Sequence, residues 1–177
     1  MKDNYDISAL KPKKKKVNSR SKGNTFERDI AKKLNTRFNT TEFSRTPGSG
    51  AFATTHALPD HLQIYGDLIT PKNFKFCIEC KKGYNKENLY SLYNYSSDTW
   101  KFIEQCQKDS RKCGLLPLVI FKQDRQKILA IAPSNSVVFT SDKFITIHKR
   151  DVPFVEYYNI YLLDDILKEP TDCWFDL

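Results

Sequence analysis

Long apolar runs are missing from this chain. No stretch approaches the ~18 consecutive hydrophobic residues of a membrane span, although 40% of the residues are hydrophobic. No apolar segment follows the first basic residues, so no secretory signal is legible. Cysteine is too sparse for a disulfide scaffold: the five are odd in number and widely spaced. Reduced thiols in a cytosol-like compartment, and so a cytoplasmic protein, are the expectation. No nucleophile elbow, P-loop or dinucleotide fingerprint occurs, and no internal repeat. What remains is 177 residues with 28% charged and 13% aromatic. That is one globular domain plus a tail, large enough to bury a core without disulfides or metals.

The charge is unevenly spread. The formal net charge is +8, and residues 1–22 carry most of it. Lys2, Lys11, Lys13, Lys14, Lys15, Lys16, Arg20 and Lys22 stand there against only Asp3 and Asp6. The expected organisation is a disordered basic arm over residues 1–22 and a single domain over 23–177. A basic arm suits an anionic polymer, with nucleic acid first; the alternative is a solubilising tail. Pro12, the four lysines 13–16 and Val17 also match a nuclear import signal, a pattern common by chance in Lys-rich chains.

Periodicity predicts the elements. Phe26, Ile30, Leu34 and Phe38 recur every four residues as one helical stripe. Asn24 followed by Glu27 reads as a capping box at the start of that helix. A short strand is expected over 41–46, and Pro47-Gly48-Ser49-Gly50 opens a long loop reaching His61. Residues 64–70 and 74–81 read as a hairpin around Pro71-Lys72-Asn73. A helix over 97–113 should stop before Gly114, followed by strands over 116–122 and 127–132. Strands over 137–140, 144–148 and 154–162, and a short helix over 163–167, complete the chain. The order predicts an α/β fold with a mixed central β-sheet flanked by helices and extra C-terminal strands.

Glu79-Cys80-Lys81 is the chemical pivot. Residues two apart on a strand share a face, so an acid and a lysine project together. In the expected hairpin register Asp67 lies opposite Glu79, which puts two carboxylates about 5 Å apart at Cβ. Such a pair repels unless a cation intervenes, and Asp and Glu oxygens suit Mg²⁺ or Mn²⁺. The Lys81 ammonium could orient or deprotonate a water, or neutralise a phosphoryl oxygen. Glu27 sits one residue from the buried stripe and could face the same site, its other role being the cap. An ordinary Asp67–Lys81 ion pair is the plain alternative.

Helix acid, Gly-Ser-Gly loop, strand aspartate and Glu-x-Lys strand together resemble the PD-(D/E)XK nuclease superfamily, over residues 21–122. The chain looks most like the archaeal-type Holliday-junction resolvases. The motifs are Lys22-Gly23-Asn24-Thr25-Phe26-Glu27-Arg28, Arg45-Thr46-Pro47-Gly48-Ser49-Gly50, Gly66-Asp67-Leu68-Ile69 and Ile78-Glu79-Cys80-Lys81. The passage from Cys113-Gly114 into residues 118–122 also fits. The resemblance implies a restriction-endonuclease-like fold and a divalent metal held by Asp67, Glu79 and the main-chain carbonyl of Cys80. It further implies a catalytic Lys81, a helix acid at Glu27 that acts on the metal directly or indirectly, and Ser49 in DNA contact or catalysis. Pro59-Asp60 is a second literal Pro-Asp, set aside because the hairpin register favours Asp67. The loop before the hairpin is longer than in those resolvases, and residues 133–177 have no counterpart in them.

Other constellations carry less. Cys77 and Cys80 form C-x-x-C, but residues three apart on a strand face opposite sides, which disfavours zinc. His56 and His61 read as polar loop residues. Gln105 and Gln107, on the helix after the Glu-x-Lys strand, stand near the metal in some relatives or face solvent. Tyr90, Tyr93 and Tyr95 could stack on unpaired bases, pack under a loop or join a dimer interface. The expected function is a Mg²⁺-dependent (or Mn²⁺-dependent) DNA endonuclease resolving four-way junctions as a homodimer. Lys13, Lys14, Lys15, Lys16, Arg20, Lys22, Arg28, Arg45 and Ser49 would hold the DNA backbone. A restriction-like or repair nuclease on ordinary duplex, and a non-catalytic DNA-binding module, are the alternatives.

Overall fold

The computed structural model describes residues 19–47, 61–135, 139–151 and 154–176. Lys13, Lys14, Lys15, Lys16, Ser49, His56 and Asp60 lie outside the described residues, as do residues 137 and 138 of the strand expected over 137–140, while Phe139 and Thr140 are described and form no strand.

Helix α1 spans Ser19–Phe38 and buries Phe26, Ile30, Ala31 and Leu34, the expected stripe. It begins five residues before Asn24, so Arg20 and Lys22 belong to the helix and the capping box at Asn24 does not form. Asn24 is interior, and its side chain is spent on Arg45 instead. The helix stops where Asn39 takes a positive φ of 51°, a conformation asparagine tolerates better than most residues.

Two sheets follow. Strands β1 (Ser44–Arg45), β2 (Leu62–Tyr65) and β3 (Leu68–Pro71) form a small antiparallel sheet in the order β1-β3-β2. Strands β4 (Phe76–Lys82), β5 (Leu116–Lys122), β6 (Leu129–Pro133), β7 (Phe144–Asp151) and β8 (Phe154–Leu162) form a mixed sheet ordered β4-β5-β6-β8-β7. β4 and β5 are parallel and the remaining pairs antiparallel. A parallel pair needs a crossover. Helix α3 (Asp98–Cys113) supplies it, capped by Ser97 at its start and by left-handed Gly114 at its end. Short helices α2 (Leu89–Tyr93) and α4 (Leu163–Ile166) complete the elements used below. The α/β fold with a mixed sheet, flanking helices and extra C-terminal strands is the expected one.

The helices cover opposite faces of β4. Phe76, Ile78 and Cys80 join the α1 stripe in one core, which also takes Tyr161, Leu163, Ile166 and Trp174 from the C-terminal third. Cys106 of α3 reaches the Cys77 carbonyl from the other side, and Trp100, Phe102 and Ile103 close a second core there. Phe74, Phe76 and Trp174 are almost wholly buried. Each such side chain contributes roughly 1.5–3 kcal/mol on burial. The two cores clamp β4 so that only its C-terminal end, with Glu79 and Lys81, meets the site.

The hairpin expectation fails in its register. Residues 64–70 are not one strand: Gly66 and Asp67 form the two-residue turn of a β2–β3 hairpin, with Tyr65 opposite Leu68. Pro71-Lys72-Asn73 leads from one sheet into the other. β3 is therefore not the antiparallel partner of β4, and Asp67 is not the cross-strand neighbour of Glu79. Instead the turn docks on the free edge of β4 through a parallel bridge between Gly66 and Ile78.

Candidate active site

Docking of that turn brings Asp67 to the Glu-x-Lys strand. Gly66 has a positive φ of 72°, and a Cβ there would stand 2.3 Å from the Ile78 carbonyl oxygen. Only glycine allows both the turn and the approach. The Asp67 N–H then donates to Ile78 O at 2.9 Å, and its carbonyl accepts from Thr46 N at 2.9 Å. Asp67 Oδ2 accepts from the Cys80 N–H at 2.7 Å. The backbone of one strand residue directs its N–H and carbonyl to the same edge, so the Cys80 carbonyl faces the Asp67 side.

Glu79 is 2% exposed and accepts a hydrogen bond from Lys81 Nζ, which also donates to Gln105 Oε1 of α3 at 3.2 Å. The same ammonium lies 5.6 Å from the Phe102 ring centroid. On the other side, Arg45 Nε meets Glu27 Oε2 at 2.5 Å and Arg45 Nη2 meets Asn24 Oδ1 at 3.0 Å. Arg45 is placed by β1, whose pairing sets it opposite Leu68, next to Asp67.

The electrostatics follow from this crowding. Burial, then the Asp67 charge, push Glu79 up to about 7, against the opposing pull of Lys81. Burial raises Asp67 as well; the Cys80 N–H opposes it and the Glu27 charge adds to it. Burial pulls Lys81 down, but its hydrogen bond and charge contact with Glu79 prevail and hold it above its usual value. Lys81 is therefore an ammonium at neutral pH.

Three carboxylates, Glu27, Asp67 and Glu79, thus face two cations, Arg45 and Lys81. Among the described residues no three His, Cys, Asp or Glu side chains form a ready metal cage. Two hard-oxygen carboxylates and an edge carbonyl, with one acid more than there are cations, nevertheless fit Mg²⁺. That ion usually takes one or two carboxylates and completes its shell with water and substrate phosphate.

The structure brings Glu27, Asp67, Glu79, Cys80 and Lys81 together, with Arg45 turned inward onto Glu27. Arg20, Lys22 and Arg28 are exposed on α1. Cys77 and Cys80 face opposite cores, as the strand spacing requires. Gln107 is remote from Lys81, bonded to Glu156 and Tyr158, while Gln105 is at the site. His61 stands on the surface 3.7 Å from Glu42. The Arg45–Glu27–Asn24 cluster was hidden in the sequence because Asn24 and Glu27 already satisfied a capping pattern. The contact of Phe102 with Lys81 left no signal, since an aromatic on the buried stripe of α3 reads as core.

Comparison with known proteins finds a matching family and a phage relative. Residues 18–168 match the family described as "Phage putative PDDEXK endonuclease". Over 148 residues the chain is 32% identical to Protein D14 of Escherichia phage T5, which covers 78% of this chain and 88% of that protein. No solved structure matches the chain.

Proposed function

Because the chain belongs to the phage PDDEXK endonuclease family, we propose that it is a Mg²⁺-dependent DNA endonuclease that resolves four-way junctions as a homodimer. Nuclease chemistry and DNA binding come with the family, whose superfamily generally uses divalent metals. The observation that carries the assignment of residues is the Asp67 carboxylate locked onto the Cys80 N–H at 2.7 Å, beside Glu79 and Lys81.

Asp67, Glu79 and the Cys80 carbonyl would hold the metal. When bound, a divalent cation supplies Lewis acidity at a phosphate oxygen and offsets charge that builds in the transition state. Lys81, protonated and held between Glu79 and Gln105, orients the attacking water and meets the non-bridging phosphate oxygen. The water oxygen bonds to phosphorus, the bond to the leaving sugar oxygen breaks, and one proton passes from the water to that leaving group. Glu27 acts at one remove, fixing the Arg45 guanidinium beside Asp67. Ser49 and the lysines at 13–16 remain assigned to DNA by their motif and charge.

Branched DNA is favoured by the resolvase-like motifs at Lys22–Arg28, Arg45–Gly50, Gly66–Ile69 and Ile78–Lys81. The dimer is favoured by β7, an open sheet edge carrying exposed apolar residues. The phage relative suggests work in the cytoplasm of an infected bacterium, and no described helix is long and apolar enough to cross a membrane.

Cleavage of a labelled four-way junction and of linear duplex, each with Mg²⁺ and with chelator, tests the reading. Metal-dependent cutting of the junction well above the duplex is expected. Asp67→Asn, Glu79→Gln and Lys81→Ala should each lower the rate at least ~100-fold, with the double variants little worse than the singles because the groups act as a unit. Equal cutting of both substrates would make the protein a duplex nuclease. Full activity in Asp67→Asn would move the metal to another carboxylate.

A further inference from the structure

The segment between β4 and α3 displays exposed aromatic and aliphatic side chains without burying them. Leu89 is 71% exposed, Tyr90 75% and Tyr93 83%. No residue of helix α2 is fully buried, and among its side chains Leu92 is half-buried against the second core. It is nevertheless pinned. Asn88 and Ser91 close a reciprocal capping box at its start. Gln123 Nε2 donates to the carbonyls of Tyr84 and Glu87 at 3.2 and 2.8 Å. Asn85 and Asp124 exchange two hydrogen bonds of 2.9 Å. Polar bonds and the contact of Leu92 with the second core thus hold a five-residue helix whose two rings, Tyr90 and Tyr93, face water. Contiguous exposed apolar surface of this kind marks a binding site.

Its position indicates the ligand. The Tyr84 ring stands 4.7 Å from the Phe102 ring, and Lys81 Nζ lies 5.6 Å from that same Phe102 centroid. The aromatic segment therefore begins no more than about 10 Å from the Lys81 ammonium. Cations flank it: Lys82 ends β4, Lys86 precedes α2, and Lys22, Lys82 and Arg125 all act on Asp124. Exposed rings beside cations match a polymer with an anionic backbone and flat bases. A second copy of this chain would bring the same cations against them.

We propose that Tyr90 and Tyr93, three residues apart and so neighbours on one helix face, form a stacking platform for unpaired bases beside the scissile strand. The inference rests on the nuclease reading above and names what that site recognises in its substrate. Unpaired bases offer a π-face, which duplex ends and interior pairs do not present to the side of the helix. The platform thereby favours DNA whose strands separate near the cut.

The test compares two probes in chelator, where nothing is cut. One is a forked DNA with unpaired 2-aminopurine beside the branch, the other a fully paired duplex of equal length. The Tyr90→Ala/Tyr93→Ala protein should bind the fork between about 5-fold and 100-fold more weakly, the range expected for losing one stacked base. It should bind the duplex within about twofold of wild type, and fail to quench 2-aminopurine. Tyr90→Phe/Tyr93→Phe keeps the rings and should restore both binding and quenching. Equal affinity of the Ala and wild-type proteins for the fork would overturn the platform, as would equal losses on fork and duplex. Sedimentation showing that the Ala variant is a monomer where wild type is a dimer would reassign the rings to self-association. If wild type with Mg²⁺ still cuts DNA, those failures leave the nuclease reading intact. If it neither binds nor cuts either probe, both fall together.

Discussion

Glu79 carries the largest conflict of any side chain at the site. It is buried, faces Asp67, and is held up to about 7 from its ordinary 4.5. The folded protein therefore binds this proton more tightly than the unfolded chain does. Its contribution to stability is undiminished below pH 4.5, falls as the pH rises toward 7, and levels off above that. The full penalty is on the order of 3 kcal/mol. In chelator, Glu79→Gln should raise Tm above wild type by several degrees at pH 8.5, and the gain should vanish near pH 4.5. Added Mg²⁺ should stabilise wild type at pH 8.5 and leave the variant unmoved, since a cation relieves the repulsion only when both carboxylates are present. Thermal unfolding across that pH range checks both. A variant less stable than wild type at pH 8.5 would mean that Lys81 and Gln105, rather than burial, set the energy of this carboxylate. A buried acid that destabilises its own fold is expected at a functional site and has no purpose in a structural ion pair.

Among the elements, the β2–β3 turn does most to build the site, and one glycine makes it possible. Gly66→Ala must place a Cβ 2.3 Å from a backbone oxygen and also hold φ at 72°. The cost should be about 2–3 kcal/mol, a Tm loss of roughly 5–10 °C. Because the turn must lift off β4, the bond from Cys80 N to Asp67 should lengthen and cleavage should fall further than DNA binding. Gly114 has the same φ of 72° with open space around it, so Gly114→Ala should lose only about 1 kcal/mol and keep its activity. Equal effects of the two substitutions would show that conformation alone, not the close approach, matters at Gly66. This turn also marks the limit of what the sequence disclosed. α3 with its stop at Gly114, β5 and the Glu-x-Lys strand were legible because periodicity and end signals coincide there, whereas Ser97, expected inside the helix, caps it. Asp67 does lie beside Glu79, but the expected hairpin register that put it there does not exist. Pro71-Lys72-Asn73 had stronger turn chemistry than Gly66-Asp67, and local chemistry cannot reveal that a chain is changing sheets at the former. The start of α1 was lost for a related reason: Asn24 looks like a cap only if Arg45, 21 residues on, is ignored.

At the scale of the whole molecule, the four-way junction proposed as substrate needs two cuts, and the described residues of each chain hold one acid cluster. Two subunits related by a two-fold axis would match a four-way junction, and closed two-fold pairing is the commonest homo-oligomeric state. The free edge of the mixed sheet offers the contact. Edge strands that remain solitary are normally guarded by charge, proline or bulges. β7 instead opens with Phe144-Ile145-Thr146-Ile147, with Phe144 49% and Ile145 55% exposed and Tyr157 on neighbouring β8 51% exposed. Its cations come only at Lys149 and Arg150. Antiparallel pairing of β7 with its own copy would join two five-stranded sheets and bring Phe144 on one face and Ile145 on the other beside the partner strand's side chains. Sedimentation at micromolar protein should then give a dimer, and Ile145→Lys should give a folded monomer because a like charge would meet itself across the axis. With junction arms labelled separately, wild type should cut symmetry-related strands in pairs. The Ile145→Lys monomer should leave singly nicked junctions while retaining metal-dependent cleavage. Paired cuts by a proven monomer would remove the need for the β7 contact. A dimer that persists in Ile145→Lys would move the contact to another face, and the exposed Tyr90 and Tyr93 rings of α2 would then be the next surface to test.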